Sequence, residues 1–283
     1  MYKQKALKLF QKAEKLCSQG KLTDSILEYK KAIKIDPSFL EAENNLGNAL
    51  FSAGRFEEAE VFYKKVLLKN SNILITQLNL ANTLSELNKI NEAMAHYERA
   101  LNISPKDIKV LSARSIALFK AGHVTQAIND IDLVLEKDPS NTAALVHKSN
   151  IYKHKGLFEE SIIYIEKAIS YNPNSYQSYI NYGNLLRQVS RFDDSLQVFT
   201  RAISLDPNNS RAFIARGSLN REMDRYDDAI SDLQLALNLN QQSPEALSFL
   251  GNAFLDIGKE EEALKYLRKA LTLRPDYATP LHS

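Results

Sequence analysis

The sequence contains no tryptophan and only one cysteine, Cys17. A single cysteine cannot form an internal disulfide, so a cysteine-stapled extracellular module is excluded and a reducing compartment is favoured. No stretch approaches the roughly 20 consecutive apolar residues that a membrane-spanning helix needs. The basic N-terminal segment places its apolar residues at helical spacing and lacks the uninterrupted apolar run of a signal peptide. We therefore expect a cytoplasmic protein that does not interact with a membrane.

Neither charge nor short motifs indicate catalysis. The net charge of +2 is too small to indicate a nucleic-acid partner by itself. There is no glycine-rich phosphate loop, no cysteine pair for zinc, and no HExxH or Gly-x-Ser-x-Gly motif. His147 and His154 lie on one predicted helix, but their spacing puts them roughly 10 Å apart, too far to share a metal. We expect no catalytic residue, no metal and no cofactor.

Prolines are few, but six of the eight recur at intervals of 34 residues or multiples of 34. They are Pro37, Pro105, Pro139, Pro173, Pro207 and Pro275, and Ser71 and Gln241 fill the two gaps. Such a period indicates a helical repeat protein. With proline at position 32 of the repeat, residues 6–277 divide into eight units without insertion or deletion: 6–39, 40–73, 74–107, 108–141, 142–175, 176–209, 210–243 and 244–277.

Two positions of this repeat hold only small residues. Position 8 holds Ala13, Gly47, Ala81, Ser115, Ser149, Gly183, Gly217 and Gly251, and position 20 holds Ser25, Ala59, Ala93, Ala127, Ser161, Ser195, Ala229 and Ala263. Large apolar residues recur at positions 24 and 28. This pattern predicts two helices that cross closely in each unit, with large side chains in the seam between neighbouring units.

A turn is predicted near position 15, where five units have glycine. Asn88, Asp224 and Ser190 take its place in the other three units. Asparagine and aspartate tolerate a positive φ better than most residues, so Ser190 is the poorest substitute. The proline of each unit then ends the second helix.

The pattern resembles the tetratricopeptide repeat family, as in EAENNLGNALFSAGRFEEAEVFYKKVLL of the second unit. The resemblance covers residues 6–277 and implies an all-α fold: one continuous right-handed α-solenoid superhelix of antiparallel helix hairpins, with a concave groove lined by the first helices.

Lys148 and Asn220 depart from the family pattern at usually apolar positions, so weaker packing is expected there. Residues 278–283 form a short tail or begin a further helix. Because no cap follows, we expect that the last helix tolerates exposure, that the chain self-associates there, or that the sequence is a piece of a longer protein.

The resemblance also implies which residues line the groove. Asparagine occupies the groove position 9 in five units and the nearby position 6 in three. An amide both donates and accepts, so a row of asparagines can bind a peptide backbone. A similar row occurs in the repeat region of O-linked N-acetylglucosamine transferases; the alternative is that these asparagines are simply solvated. The candidate groove residues are Asn48, Asn79, Asn82, Lys109, Phe119, Asn150, Lys153, Asn181, Asn184, Arg187, Arg211, Arg221 and Asn252.

Charge is unevenly distributed along this predicted groove. The basic residues of units four to seven are Lys109, Lys120, Lys153, Arg187, Arg211 and Arg221, against Glu222; Ile116, Phe119, Val146, Ile180 and Ile214 lie among them. We therefore expect a non-catalytic scaffold that binds an extended acidic segment of a protein partner. The alternatives are the substrate-presenting region of a longer enzyme, such as a glycosyltransferase, and RNA binding, which the scarcity of aromatic residues in the groove disfavours.

Two arginines outside the groove positions are predicted to brace hairpins. Arg114 and Arg216 are each followed sixteen residues later by an aspartate, Asp130 and Asp232. No other unit has either residue at these positions. We predict an ion pair within each of the two hairpins.

Overall fold

The computed structural model describes residues 2–274, which contain sixteen helices and no strand. The chain divides into two compact halves, Met1–Pro139 and Ser140–Ser283. We call these halves unit 1 and unit 2; they are distinct from the eight 34-residue repeat units of the sequence. The predicted tail of residues 278–283 lies outside the described residues. None of the described helices is both long and apolar enough to cross a bilayer.

Each unit holds eight helices joined by short turns. Those of unit 1 are α1 (Tyr2–Ser18), α2 (Leu22–Ile35), α3 (Leu40–Ser52), α4 (Phe56–Lys69), α5 (Leu74–Glu86), α6 (Ile90–Ile103), α7 (Ile108–Lys120) and α8 (Val124–Lys137). Those of unit 2 are α9 (Thr142–His154), α10 (Phe158–Tyr171), α11 (Tyr176–Gln188), α12 (Phe192–Leu205), α13 (Ser210–Glu222), α14 (Tyr226–Leu239), α15 (Pro244–Asp256) and α16 (Glu260–Leu273). Each odd-numbered helix, here called a first helix, packs against the even-numbered second helix that follows it.

The helices follow the period of the sequence. Helix α3 begins at Leu40 and α5 begins at Leu74, 34 residues later, and the same interval separates the starts of α4 and α6. Unit 2 repeats this interval from Thr142 to Tyr176. The predicted all-α solenoid of helix hairpins is confirmed.

Close approach of the two helices explains the small residues at positions 8 and 20. A Cβ atom added to Gly183 would lie 2.5 Å from Cε1 of Phe199, so the aromatic ring fills the space that any larger residue would need. Across the same crossing, the hydroxyl of Ser195 donates to the carbonyl of Gly183 at 2.8 Å. The small pairs therefore set the distance between the helices, as the sequence predicted.

The turn between the helices requires a residue with positive φ. Gly156 has a φ of 75° and Ser190 a φ of 60°. In both turns the third residue after the first helix forms the same backbone hydrogen bond, in which the N–H of Leu157 donates to the Tyr152 carbonyl at 3.0 Å and the N–H of Arg191 donates to the Leu186 carbonyl at 2.9 Å. Serine thus adopts the left-handed conformation that glycine adopts elsewhere, and the predicted turn position is confirmed.

The residues at position 28 are less buried than the sequence pattern suggested. Those at position 24, such as Tyr63 and Phe199, are almost fully buried. Those at position 28, such as Leu67 and Ile203, are half-buried and pack at the edge of the apolar clusters. Leu271 at this position is 41% exposed. The core of each hairpin therefore centres on position 24, and position 28 lies at its margin.

The two polar residues at usually apolar positions both find partners. Asn220 is buried, and its Nδ2 donates to Asp232 Oδ2 at 3.2 Å. Lys148 is also buried, and its ammonium group lies 4.3 Å from the centre of the Tyr164 ring. Because a buried polar group costs little once it is paired, these residues are integrated into the packing instead of leaving gaps.

Both predicted brace pairs are confirmed. Arg114 bonds to Asp130 through Nε at 2.7 Å and Nη2 at 2.6 Å. Arg216 bonds to Asp232 through Nε at 2.9 Å and Nη2 at 2.7 Å. The aspartates are only 4% exposed, so both bidentate ion pairs are largely buried.

Candidate peptide-binding surface

The candidate groove residues lie on the first helices. In unit 1, α5 contacts both α3 and α7, and in unit 2, α13 contacts both α11 and α15. Residues of α9 and α11 line a shared cavity, which places α9 in the same row. We call the face formed by α9, α11, α13 and α15 the first-helix surface of unit 2.

The asparagines of unit 1 are tied into the fold by tyrosine. Asn48 Oδ1 accepts from the Tyr63 hydroxyl at 2.7 Å and from Asn79 Nδ2 at 2.8 Å. Asn82 Oδ1 accepts from the Tyr97 hydroxyl at 2.7 Å. Burial raises the pKa of both tyrosines, so the hydroxyls keep the protons that they donate. These asparagines stabilise hairpins and the contact between α3 and α5.

The asparagines at the same position in unit 2 have no such partner. Asn150 and Asn184 are followed fifteen residues later by Ile165 and Phe199, which carry no hydroxyl. Asn252 is likewise followed by Leu267. Within residues 2–274, no side-chain hydrogen bond reaches the carboxamides of these three asparagines. These three asparagines of the predicted row therefore differ from Asn48 and Asn82, whose carboxamides are held by tyrosine.

The residue at position 24 of each repeat distinguishes the asparagines that are bonded to tyrosine from those that are not. Wherever position 24 is tyrosine and position 9 is asparagine, the structure joins the two; an apolar residue at position 24 leaves the asparagine unpartnered. Asn181 belongs to a different position, and its Oδ1 accepts from Gln177 on the same helix at 3.2 Å.

Several of the predicted basic residues are paired with acidic residues of a neighbouring first helix. Arg187 Nε donates to Glu222 Oε2 at 2.6 Å. Arg221 and Asp256 form the same contact one hairpin further along. In unit 1, Lys120 Nζ donates to Glu86 Oε1 at 2.7 Å. These pairs link neighbouring first helices and reduce the positive charge that the sequence count suggested.

Three of the predicted basic residues remain without an acidic partner among the described residues. Lys109 lies in unit 1, and Lys153 and Arg211 lie on the first-helix surface of unit 2. Arg187 and Arg221 each pair with an acidic residue 35 positions later in the sequence, Glu222 and Asp256. The residue 35 positions after Lys153 is the neutral Gln188. The uncompensated charge of Lys153 is therefore a consequence of one residue in α11.

Two cavities lie between first helices of unit 2, and the first of them is lined by Lys153. One, of about 430 Å³, is lined by Lys153, Asn184, Arg187, Gln188, Phe192 and Glu222. The other, of about 330 Å³, is lined by residues of α9 and α11 that include Val146, His147, Asn150 and Gln177. Each cavity contains one of the unpartnered asparagines, and the first also brings together the cationic Lys153 and the aromatic ring of Phe192.

The apolar residues expected among the basic ones are only partly available. Ile180 and Ile214 are 6% and 5% exposed and belong to the cores, so the expectation that they line the groove is wrong. They are buried because they pack against both the following second helix and the next first helix, as Ile180 does with Ala202 and Ala212. Val146 does line a cavity, Phe119 is half-buried on α7, and Ile116 is exposed.

No group of side chains within residues 2–274 could hold a metal ion. The arrangement of amides, one free ammonium group and shallow cavities is suited to holding a polar chain.

Comparison with known proteins identifies the repeat. Tetratricopeptide repeat models match residues 13–54, 38–106, 142–175, 180–244 and 244–277. A tetratricopeptide repeat protein from Parabacteroides merdae is 18% identical, with a TM-score of 0.69 over 89% of this chain and 99% of that one. MamA is 23% identical, with a TM-score of 0.51 over 57% and 95% of the two chains.

A third solved structure, PilF of Pseudomonas aeruginosa, is 18% identical, with a TM-score of 0.60 over 75% of this chain and 97% of that one. At these identities the likeness shows the fold alone. No curated protein matches the sequence significantly.

Proposed function

Because the chain contains tetratricopeptide repeats in both units, we propose that it is a non-catalytic scaffold that binds an extended segment of another protein. The segment lies on the first-helix surface of unit 2. The observation that carries this proposal is the set of unpartnered carboxamides of Asn150, Asn184 and Asn252, one on each of three first helices. A carboxamide can bind both the N–H and the C=O of a peptide backbone, whatever its side chains.

Charge selects the segment. Lys153 and Arg211 have no acidic partner in the described chain, whereas Arg187 and Arg221 are neutralised by Glu222 and Asp256. A segment with an acidic side chain opposite Lys153 gains an ion pair in the cavity beside Asn184. We therefore propose that the segment is acidic at one or two places and otherwise recognised through its backbone.

A peptide-display selection against the intact protein tests the proposal. Selected peptides are then measured by fluorescence polarisation against wild type and two variants. Lys153→Glu reverses the free charge. Phe199→Tyr places a hydroxyl fifteen residues after Asn184, as Tyr63 is placed after Asn48, and should occupy the Asn184 carboxamide without changing charge.

Both variants should weaken binding, the lysine variant roughly tenfold or more and the tyrosine variant several-fold. Arg201→Glu on α12 is the matched control, because Arg201 is an exposed basic residue on a second helix. It should leave the affinity unchanged. If the selected peptides bind wild type, Lys153→Glu and Phe199→Tyr equally well, the segment does not lie on this surface.

A further inference from the structure

A separate cavity of about 630 Å³ lies in unit 1, between the second helices α4 and α6. Its inner wall includes Gln77 and Leu80, which are buried, and His96, which is half-buried. Arg99 and Leu68 lie at its exposed rim, and Leu68 is 86% exposed. It is therefore a recess with a buried floor, on a different face from the asparagines discussed above.

The preceding helix pair shows why the cavity is open. Between α2 and α4, Lys69 spans the equivalent place, because its Nζ donates to Glu43 Oε2 at 2.7 Å and to the Pro37 carbonyl at 2.8 Å. One repeat later, the corresponding residues are Ile103, Gln77 and Ser71. Isoleucine cannot make these bonds. The space that a lysine side chain closes in one place is thus left empty in the next.

The hydrogen bonds of Gln77 fix the orientation of His96. Gln77 Nε2 donates to the Ser71 carbonyl at 2.8 Å, and a carbonyl only accepts. Gln77 Oε1 therefore faces His96 Nδ1, at 2.6 Å, and Nδ1 must carry the proton. No described residue bonds to His96 Nε2, so this nitrogen is the one left for a ligand.

The cavity carries uncompensated positive charge. Arg99 has no ion pair among residues 2–274, whereas Lys64 is bonded to Glu60 at 2.6 Å. Burial, together with the charges of Arg99 and Lys64, holds the pKa of His96 below its ordinary value, and Glu92 and Glu60 oppose them more weakly. The positive charges near the imidazole therefore outweigh the negative ones, and a bound anion would compensate the excess.

We propose that this cavity binds a small monocarboxylate with a short apolar tail. The carboxylate lies between the Arg99 guanidinium and the Nε2 edge of His96, and the tail lies against Leu67, Leu68 and Ile103. A volume of about 630 Å³ is ample for such a molecule. A monoanion fits better than a doubly charged phosphate, since Glu60 already compensates Lys64 and leaves one free cation.

Histidine NMR with a series of sodium carboxylates from acetate to octanoate provides the test. The His96 signals should shift on titration, more strongly as the tail lengthens. Binding should raise the pKa of His96, because the ligand's charge favours the imidazolium and Nε2–H then donates to the carboxylate. Affinity should accordingly increase as the pH falls through the pKa of His96, as long as the ligand stays ionised.

Arg99→Ala should weaken binding roughly tenfold. Lys65→Ala is the matched control. Lys65 lies 34 residues before Arg99, at the equivalent position of the preceding repeat, where Lys69 fills the space. A second variant, Gln77→Glu with Ile103→Lys, copies the Glu43 and Lys69 pair. It should abolish binding while the helical melt stays at or above that of wild type.

Three results would overturn the proposal: no carboxylate of the series shifts the His96 signals; Arg99→Ala and Lys65→Ala bind alike; or inorganic phosphate binds more tightly than butyrate. Retained binding in the filled double variant would equally show that the ligand lies elsewhere.

Discussion

One phenolic hydroxyl decides whether an asparagine of this fold belongs to the hairpin or is left to a ligand. Asn82 and Asn184 occupy the same position on their helices, and both follow from the same repeat pattern. Tyr97 bonds to the first, and Phe199 cannot bond to the second. A residue's role in a repeat protein therefore depends on its partner in the same hairpin as much as on its own identity.

Removing that hydroxyl in unit 1 should cost stability. We expect Tyr97→Phe to lower the free energy of unfolding by about 1 kcal/mol, since it deletes one buried hydrogen bond and leaves the ring in place. Urea denaturation measures the change. Tyr171→Phe is the control, because Tyr171 is 53% exposed, and it should change the stability very little. Equal effects of the two substitutions would contradict the structural role assigned to the Asn82 bond.

The residue scale also shows what sequence reasoning could and could not predict. The period placed Ser190 in a turn and Gly183 at a helix crossing, because single backbone and size requirements apply there. It could not separate Ile180 and Ile214 from the groove, since their burial depends on how each first helix is rotated against two neighbours. Nor did it give the pairing of Arg187 with Glu222, which depends on the distance between successive first helices.

At the scale of elements, α13 and α14 are joined by a buried polar brace. Asp232 receives bonds from Arg216 and from Asn220, and it is only 4% exposed. The sequence predicted the ion pair from its spacing of sixteen residues, but it gave no indication that Asn220 would take part. An arginine and an asparagine thus depend on one carboxylate.

Asp232→Ala should therefore destabilise the protein by about 3 kcal/mol, because it leaves a partly buried guanidinium and a buried amide without a partner. Asp194→Ala removes an exposed pair with Arg191 and should change the stability very little. Chemical denaturation of both variants provides the comparison. The triple replacement Arg216→Met, Asn220→Leu and Asp232→Leu, which removes all three polar partners, should recover most of the loss. If it is as unstable as Asp232→Ala, the brace contributes in some other way than by satisfying buried charge.

A second polar link joins α1 to α2 and makes this hairpin sensitive to acid. Hydrogen bonds from Lys31 and Lys12 hold the pKa of Glu28 below its ordinary value of 4.5, against the opposing effect of burial. As the pH falls, Glu28 is therefore protonated in the unfolded chain before it is protonated in the folded one. The stabilisation that Glu28 contributes is present above its unfolded pKa and is lost as the pH falls through its folded pKa.

We expect the free energy of unfolding of wild type to fall more steeply with acid than that of Glu28→Gln, in urea titrations between about pH 6 and pH 3. The variant should be less stable near neutral pH and should approach wild type at the acidic end. Parallel curves would show that Glu28 does not contribute to the acid response.

At the scale of the whole molecule, the 34-residue register passes from unit 1 into unit 2 without insertion or deletion. The sequence predicts one continuous array on this basis. In such arrays, stability is close to a sum over repeats and nearest-neighbour interfaces. A break in the register would have indicated two domains, and none occurs between residues 6 and 277.

Single residues that depart from the repeat pattern give different information from the spacing itself. Ser71 replaces the repeat proline, and it lines the cavity between α4 and α6 together with Ile103, the residue one repeat after Lys69. The sequence showed the missing proline, but the cavity could be recognised only once Lys69 was seen to span the equivalent place. Regular positions thus predict the fold, whereas positions that break the pattern locate the sites.

Core substitutions in each unit test whether the array unfolds as one body. Leu46 in unit 1 and Leu186 in unit 2 are both fully buried, so each change to alanine should cost about 2–5 kcal/mol. If the array is continuous, calorimetry should show a single transition that either substitution lowers, and hydrogen exchange should accelerate in both units. Val61→Ala, at a side chain that is 50% exposed, should leave the transition unchanged. Two transitions, of which each leucine variant shifts only one, would mean that unit 1 and unit 2 fold independently and that the uninterrupted register does not couple them.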